Sequence, residues 1–294
     1  MNTVATPAGY AHREVTKPPN WHALVAWDML LNALTTGLFL TVAVGEVVRP
    51  ELVSPHAKWA YPAALVLLLA DLVCLVMDLG NKLRFHHMLR VFKPSSPMSL
   101  GTWALTAYSL PLTLLAAAEV GPLLGVLPAE ADSDALWWGR RPLLILGLPF
   151  AFAAAGYKGV LFSTSSQPGW RDARWLGAYH IVTAVALGVG ILYAGAEMTG
   201  ESSTAPLRLA FGLLLLMHAV LLSLTLAEMR PAFLRAYPGR LTDWLAPGVF
   251  VAASVVPFGL LAGGGPAAVL AVASLAAAAL AARFALVRLP HALA

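Results

Sequence analysis

Eight long apolar stretches limit the folds that are open to this sequence, because each is about as long as the span of a lipid bilayer. Backbone polar groups inside hydrocarbon must be satisfied locally, so each stretch is expected to be an α-helix. The sequence therefore predicts an all-α fold, a polytopic membrane bundle of eight transmembrane helices. The predicted spans are approximately 23–48, 57–80, 100–126, 142–164, 175–197, 205–228, 242–263 and 266–288.

The composition agrees with a membrane location. Only 12% of the 294 residues are charged, whereas soluble domains carry roughly 25%. The loops are short, so the predicted organisation is a polar N-terminal segment at 1–22, the bundle at 23–288 and a C-terminal tail at 289–294. The N-terminal segment lacks the short apolar core of a signal peptide. The net charge of +4 comes from bases between spans, a pattern that sets orientation and does not indicate nucleic-acid binding.

Lysine and arginine are unevenly divided between the two membrane sides. The side on which the first span begins, here called the N-face, holds 14 of the 19. The opposite side holds five, including those of the loop AEADSDALWWGRR between the third and fourth spans. The positive-inside rule then predicts that both termini are cytoplasmic, although a basic face can also be a docking surface for an acidic partner.

Placing a carboxylate in lipid costs free energy, so carboxylates inside the predicted spans are expected to have a function. Asp28 and Asn32 lie four residues apart, so they share one face of the first span. Asp71 and Asp78 lie one heptad apart on the second span. The alternative is a structural role, in which these side chains bond neighbouring helices.

Four residues that bear polar groups are predicted at the N-face. His22 precedes the first span, Asp78 ends the second, and Tyr157 and Lys158 lie near the end of the fourth. This set suits a small amphipathic ligand whose two oxygens need a donor, an acceptor and a proton route, and a quinone head group fits that description. The alternative role for His22, which lies beside Trp21, is to anchor the helix at the membrane interface. The same alternative applies to Tyr157.

A basic loop follows the second span on the N-face. It is predicted either to face lipid head groups and water or to form a docking site for a partner protein. Its basic residues are Lys82, Arg84, His86, His87, Arg90 and Lys93.

Redox metals are not favoured by the sequence. The single cysteine, Cys74, excludes an intrachain disulfide and an all-cysteine Fe–S or zinc site. His180 and His218 on the fifth and sixth spans raise the possibility of a b haem, but at about 1.5 Å per residue their depths differ by very roughly 10 Å. Helix–helix hydrogen bonding is therefore preferred, and no haem, Fe–S cluster or other metal is predicted.

Four stretches carry a family resemblance: WH at 21–22, DLGNKLRF at 78–85, PSSPMSLGTW at 94–103 and YKGVLFSTSSQPGW at 157–170. They resemble the NrfD/PsrC family, the quinone-interacting membrane subunit of polysulfide reductase and related molybdenum oxidoreductases. The resemblance covers roughly residues 21–175, and the last four spans match in number and hydrophobicity.

The resemblance implies a membrane subunit of a respiratory oxidoreductase complex in a bacterial inner membrane, not catalytic alone, that binds menaquinone or ubiquinone. It would exchange electrons with a ferredoxin-like [4Fe-4S] subunit that feeds a molybdopterin catalytic subunit. In polysulfide reductase these partners are periplasmic and dock on the quinone side, whereas here the charge rule makes that side cytoplasmic.

The resemblance also implies roles for individual residues. His22 and Tyr157 would be the catalytic pair that hydrogen-bonds the quinone oxygens. Lys158 departs from the family pattern, in which a small or neutral residue often follows the tyrosine, and could alter the quinone potential or contact the Fe–S partner. The quinone site would comprise His22, Tyr157, Asp28, Asn32 and Lys158, and the proton path Asp28, Asp71 and Asp78.

Three other functions stay open at this stage. An ion or proton-coupled transporter would use the intramembrane carboxylates as its path, although spans 1–4 and 5–8 show no evident repeat. A haem b membrane anchor would show an absorbance spectrum. A passive scaffold for soluble subunits would keep its function after substitution of His22 and Tyr157.

Overall fold

The computed structural model describes residues 18–126, 133–200, 204–237 and 239–293, and these ranges form a bundle of long helices without strands. Eight helical stretches within them are long and apolar enough to cross a membrane, which confirms the predicted fold class. Most of the predicted N-terminal segment, residues 1–17, lies outside the described part of the sequence. The eight stretches are Ala23–Val48, Pro50–Met77, Pro97–Val120, Trp138–Ser163, Leu176–Thr199, Ala205–Ala236, Asp243–Leu260 and Gly265–Leu293.

The α-helices are numbered here in sequence order. They are α1 Ala23–Val48, α2 Pro50–Met77, α3 Pro97–Val120, α4 Ser133–Ser163, α5 Leu176–Thr199, α6 Ala205–Ala236, α7 Arg240–Phe250, α8 Val256–Leu260 and α9 Gly265–Leu293. Two 3-10 helices, Lys82–Leu89 and Trp170–Asp172, lie in the N-face loops. A π-helical turn at Val251–Val255 joins α7 to α8 just before Pro257, whose missing N–H interrupts the helix hydrogen bonds.

Helix α1 lies at the centre of the bundle and packs against α2, α4, α5 and α9. Its crossing with α5 is unusually close, because Gly37 and Gly188 face each other there. A Cβ on Gly37 would overlap the Ala184 carbonyl, and a Cβ on Gly188 would overlap the Gly37 carbonyl. Small residues of this kind let membrane helices approach backbone to backbone, so this crossing joins the first half of the bundle, α1–α4, to the second, α5–α9.

Three predicted boundaries move in the structure. Helix α2 begins at Pro50 and not near residue 57, although Pro55 and Pro62 lie inside it. Helix α4 includes Arg140, which the sequence interpretation assigned to a loop. Helix α9 continues to Leu293, so the predicted C-terminal tail is helical up to that residue.

Two of the fourteen bases counted on the N-face are buried inside helices. The exposed fractions of Lys158 and Arg283 are 5% and 1%. Neither side chain adds positive charge to a loop. The excess of exposed positive charge on the N-face is therefore smaller than the sequence count suggests.

Candidate functional site: a cavity at the N-face of α1–α4

A cavity of about 520 Å³ lies between the N-face ends of α1, α2, α3 and α4. Most of its wall is apolar, formed by side chains such as Leu72, Leu75, Met98, Leu105 and Leu161. Ligand pockets in proteins typically measure 300–1,000 Å³ and combine apolar walls with a few polar groups. The charged and phenolic groups on the wall are those of Asp28, Asp78, Tyr157 and Lys158, all singled out from the sequence.

A buried cluster of charges forms the inner end of this site. Lys158 Nζ lies 2.8 Å from Asp28 Oδ1 and 3.5 Å from Asp71 Oδ1. Asn32 Nδ2 donates a hydrogen bond of 3.4 Å to Asp71 Oδ2. Asp71 and Asn32 do not line the cavity but lie behind Lys158 and Asp28, so all four side chains form one cluster from α1, α2 and α4.

The formal charges of this cluster do not balance. A protonated Lys158 between ionised Asp28 and Asp71 leaves one net negative charge in a site where the three side chains are at most 7% exposed. One additional proton on the carboxylate pair would make the cluster neutral. Because net charge is costly inside a bilayer, the cluster is suited to take up and hold a single proton.

The Tyr157 ring packs on the backbone of α3 at Gly101. A Cβ at residue 101 would overlap the Tyr157 ring, so glycine is required for the ring to lie there. The Lys158 ammonium lies 5.5 Å from the centroid of the same ring. The glycine of the PSSPMSLG stretch therefore fixes the tyrosine of the YKGVLFSTSSQPGW stretch at the cavity.

The other residues of PSSPMSLG shape the turn beside the cavity. Ser96 caps α3 by accepting a hydrogen bond of 3.4 Å from Ser99 N, and Pro97 occupies the first helical position. Ser99 Oγ donates to Val91 O at 3.3 Å and accepts from Lys93 N at 3.0 Å. Ser99 thus ties the basic loop to α3, a role that the sequence interpretation did not identify.

Trp21 and Phe162 line the cavity at the α1 and α4 ends, and Trp170 packs behind both rings. Trp21 stacks on Trp170 with ring centroids 5.2 Å apart, and Phe162 lies edge-on to Trp170 at 4.5 Å. Trp170 Nε1 also donates a hydrogen bond of 2.7 Å to Leu286 O on α9. The tryptophan that ends YKGVLFSTSSQPGW therefore connects the cavity wall to the second half of the bundle.

Comparison with known proteins agrees with the motifs that surround the cavity. The sequence model of a family described as "Polysulphide reductase, NrfD" matches residues 13–288. The chain belongs to the NrfD family. It is also similar to the polysulfide reductase C subunit of Wolinella succinogenes, with 26% identity over 202 residues. That alignment covers 62% of this NrfD protein and 62% of the relative, so it spans less than two thirds of either one.

The family match confirms the resemblance and extends it. The sequence motifs covered only the first half of the bundle, whereas the match includes the last four spans as well. Together with the eight apolar helices, the match shows that this NrfD protein is a multi-pass membrane protein.

His22 lies at the rim of the cavity in this NrfD protein. Its side chain is exposed and does not form part of the wall, whereas the preceding Trp21 does. Burial raises the pKa of Asp78 above the usual value, the nearby charge of His22 opposes this rise, and Asp28 adds to it. His22 is therefore an electrostatic neighbour of Asp78.

The basic loop is exposed and forms the 3-10 helix Lys82–Leu89 and the turn after it. Within the described residues, no ion pair involves any of its six basic side chains. The loop is bonded to α3 at the edge of the cavity, so it is positioned for contact with a partner or with lipid head groups. The six are Lys82, Arg84, His86, His87, Arg90 and Lys93.

A second buried charge cluster lies towards the opposite face of the first half. Arg140 Nη2 pairs with Glu46 Oε1 at 2.9 Å, and Arg140 Nη1 pairs with Glu119. Tyr61 Oη donates to Glu46 Oε2 at 2.7 Å. The sequence interpretation missed this cluster, although a glutamate inside the first apolar stretch was a usable signal.

The Phe39 ring separates the two charge clusters. On the N-face side, Thr35 Oγ1 and Tyr108 Oη are 2.8 Å apart, one turn beyond Asn32. The Phe39 ring then packs on Tyr108 and Tyr61, with centroid distances of 5.1 and 6.0 Å. The polar groups that extend inward from the cavity therefore end at Tyr108, and an apolar ring stands between them and the Glu46 cluster.

The two histidines considered for haem share an aromatic neighbour. The Tyr179 ring centroid lies 5.7 Å from that of His180 and 5.2 Å from that of His218. His218 Nδ1 lies 3.5 Å from Ser254 Oγ of the π-helical turn, a contact between α6 and the seventh span. Among the described residues, no group of three or more His, Cys, Asp or Glu side chains could hold a metal ion.

Proposed function

We propose that this NrfD protein is the quinone-reactive membrane subunit of a respiratory oxidoreductase complex in a bacterial inner membrane. The observation that carries the proposal is the N-face cavity, which combines apolar walls with Tyr157, Lys158, Asp28 and Asp78. A quinone has an apolar ring and tail with two oxygens that accept hydrogen bonds, and the cavity offers the matching chemistry. Similarity to the polysulfide reductase C subunit supports an oxidoreductase complex.

The residues of the cavity fit a quinone by size and by donor set. A volume of about 520 Å³ accommodates a ring head group with part of its tail. Tyr157 lines the cavity and its hydroxyl is assigned to one quinone oxygen, with Lys158 as the nearest cation. His22, at the rim, is assigned to the other oxygen, and Asp28 and Asn32 complete the site. Bound menaquinone or ubiquinone supplies two-electron, two-proton chemistry.

The carboxylates supply and remove the protons. Asp78 lies on the cavity wall just beyond the end of α2, where water and protons from the N-face reach it. Asp28 contributes to the same wall and connects through Lys158 to Asp71. The proposed proton path therefore runs from the N-face through Asp78 and Asp28 on the cavity wall to Asp71 behind it.

Electrons are proposed to come from, or go to, partner subunits at the N-face. A ferredoxin-like [4Fe-4S] subunit would dock on the basic loop, beside the cavity, and would exchange electrons with a molybdopterin catalytic subunit. Exposed positive charges suit an acidic protein surface. With both termini on the cytoplasmic side, these partners would be cytoplasmic.

One preparation tests the proposal. The protein is purified with its natural partners in mild detergent, extracted quinone is measured by mass spectrometry, and quinol-linked reduction of the complex is assayed. Tyr157→Phe should lower the quinol-linked rate by about a hundredfold, the usual scale for a positioned proton donor. Tyr193→Phe is the matched control, since that buried hydroxyl bonds Leu261 O far from the cavity. A Tyr157→Phe complex with the wild-type rate and quinone content contradicts the proposal.

A further inference from the structure

The N-face cavity reaches the surface of the protein at one end. Phe85, Leu89 and Met98 line the cavity, and these residues are 50%, 38% and 42% exposed. Exposure to the cavity itself does not account for these values, because Met29 and Phe162 line the same cavity and are at most 3% exposed. The cavity is therefore open where Phe85, Leu89 and Met98 lie.

The opening lies between two elements of the N-face. Phe85 and Leu89 belong to the 3-10 helix Lys82–Leu89, in which no residue is buried, and Met98 is the second residue of α3. Leu79, just beyond the end of α2, also lines the cavity. The 3-10 helix thus forms an outer wall of the cavity in addition to carrying bases of the basic loop.

The opening continues along α3 into the membrane. Thr102 and Thr106 follow Met98 at intervals of four residues, so the three side chains share one face of α3, and all three line the cavity. Thr102 Oγ1 donates to Met98 O at 3.0 Å and Thr106 Oγ1 donates to Thr102 O at 2.8 Å, so both hydroxyls are satisfied within the helix.

This part of the opening faces the bilayer. Thr106 is exposed and lies about 14 Å along α3 from the start of the helix. From α2, the partly exposed Leu75 and Val76 line the cavity. Because α2 and α3 are both long and apolar enough to span the membrane, the gap between them at this depth meets hydrocarbon and not water.

A quinone with an isoprenoid tail requires an opening of this kind. The cavity of about 520 Å³ holds a ring head group and part of the tail, so the rest of the tail must lie outside it. The charged groups of the site, Lys158 and Asp28, are buried at the inner end, whereas the side chains at the opening are apolar. An apolar path into the hydrocarbon keeps the tail away from water along its whole length.

We propose that quinone enters the cavity from the bilayer between the 3-10 helix, α2 and α3, and that its isoprenoid tail stays in this opening. Phe85, Leu89 and Met98 contact the first part of the tail, so they determine how strongly the protein favours tailed over tail-less quinols. The inference rests on the proposed function, because it assigns the tail of the same ligand in the same cavity.

Kinetics of the purified complex with two quinols of the same head group, one with an isoprenoid tail and one without, test the tail contacts. The double variant Phe85→Ala and Met98→Ala should raise KM for the tailed quinol by about tenfold, the scale of lost apolar contacts in a pocket. Its kcat, and KM for the tail-less quinol, should stay close to wild type, because the head group binds at the inner end. An equal change of KM for both quinols would overturn the tail assignment.

The matched control is the double variant Leu83→Ala and Leu100→Ala. Both leucines are exposed on the same two elements, and neither lines the cavity. This variant should show the wild-type KM for both quinols, and a loss equal to that of the first variant would also overturn the assignment.

A quinone analogue with a photoreactive azide on its tail locates the tail directly. Mass spectrometry of the irradiated complex identifies the labelled peptide, and label between residues 79 and 106 that excess quinol prevents supports the proposal. Quinol-sensitive label on α1 or α4 instead would overturn this inference and leave the proposed function in place. If quinol prevents no labelling and Tyr157→Phe keeps the wild-type rate, the proposed function and this inference both fail.

Discussion

The Lys158 ammonium lies 2.8 Å from the Asp28 carboxylate, so α4 and α1 are joined by an ion pair beside the wall of the N-face cavity. Asp71 of α2 lies on the other side of the same lysine at 3.5 Å. Three helices thus depend on one buried cation, and its removal leaves two carboxylates without that counter-charge.

Replacement of Lys158 by methionine should therefore destabilise the bundle strongly. Loss of one partner of a buried pair costs about 3–5 kcal/mol. Thermal unfolding followed by the reactivity of the single cysteine, Cys74, measures the change. The triple variant with Asp28→Asn and Asp71→Asn should recover most of the stability, and Lys58→Met, on an exposed site of α2, should resemble wild type. An unchanged unfolding temperature for Lys158→Met would show that the ion pair between Lys158 and Asp28 does not stabilise the folded protein.

Gly101→Ala should disturb the cavity without removing any polar group. The new methyl overlaps the Tyr157 ring, so the ring must move, at a cost of about 1–3 kcal/mol for overpacking. We expect a lower quinol-linked rate in a complex that still assembles. Gly248→Ala, where a Cβ meets no atom within 4 Å, is the matched control. Equal rates for the two variants would mean that the position of the Tyr157 ring is irrelevant to turnover.

Asp78 should make the stability of the protein depend on pH. Burial raises its pKa in the folded state, so the folded protein holds this proton at pH values where the unfolded form has lost it. The stability contributed by protonated Asp78 is thus complete below about pH 4, the ordinary aspartate pKa, and falls as pH rises through the higher folded value. Thermal unfolding followed by tryptophan fluorescence should show this fall in wild type and not in Asp78→Asn. Asp243→Asn, on an exposed site, should keep the wild-type profile.

Charge reversal in the basic loop should release the partner subunits. The double variant Lys82→Glu and Arg84→Glu replaces two exposed cations that form no ion pair with another described residue. Partner proteins should then dissociate at lower salt during purification, because exposed charges act over about 10 Å at 0.1 M salt. Arg49→Glu with Lys58→Glu, on the opposite face, is the control, and partners lost equally from both double variants would place the docking surface elsewhere.

Phe39→Asn should connect the two polar clusters of the first half. The substitution puts an amide and space for water where an apolar ring now separates Tyr108 from Tyr61. Proteoliposomes of the variant should leak protons faster than those of wild type. Phe211→Asn, at a buried ring of the second half, controls for loss of packing, and a leak of the same size there would discount the role of Phe39.

The sequence predicted the spans because the bilayer imposes the same requirement on every helix, whatever its partners. It also placed His22, Asp78, Tyr157 and Lys158 at one face, because alternating spans bring their ends there, whereas Asp28 was assigned to the site through the family resemblance. It placed the start of α2 near residue 57, after Pro55, whereas the helix begins at Pro50 and includes Pro55, because membrane helices tolerate internal proline.

Sequence patterns do not predict which side chains of different helices contact each other. That Lys158 pairs with Asp28, or that Arg140 pairs with Glu46, depends on how helices distant in sequence rotate against each other. The role of Gly101 depends likewise on a ring from another helix. His22 lies next to the cavity in sequence and in space, but the orientation of its side chain at the rim depends on the first residues of α1, which periodicity does not determine.

The apolar ring of Phe39 has a consequence for energy conservation. A proton that enters at Asp78, reaches Asp71 and returns to the same compartment moves no net charge through the transmembrane voltage. Each proton carried across would store about 2.3 kcal/mol per 100 mV, and none of that is stored while Phe39 separates the two halves of the polar route. Under the proposed function, quinone turnover that exchanges its protons at the N-face alone is electroneutral, and Phe39 is the ring that a proton would have to pass to reach the Glu46 cluster.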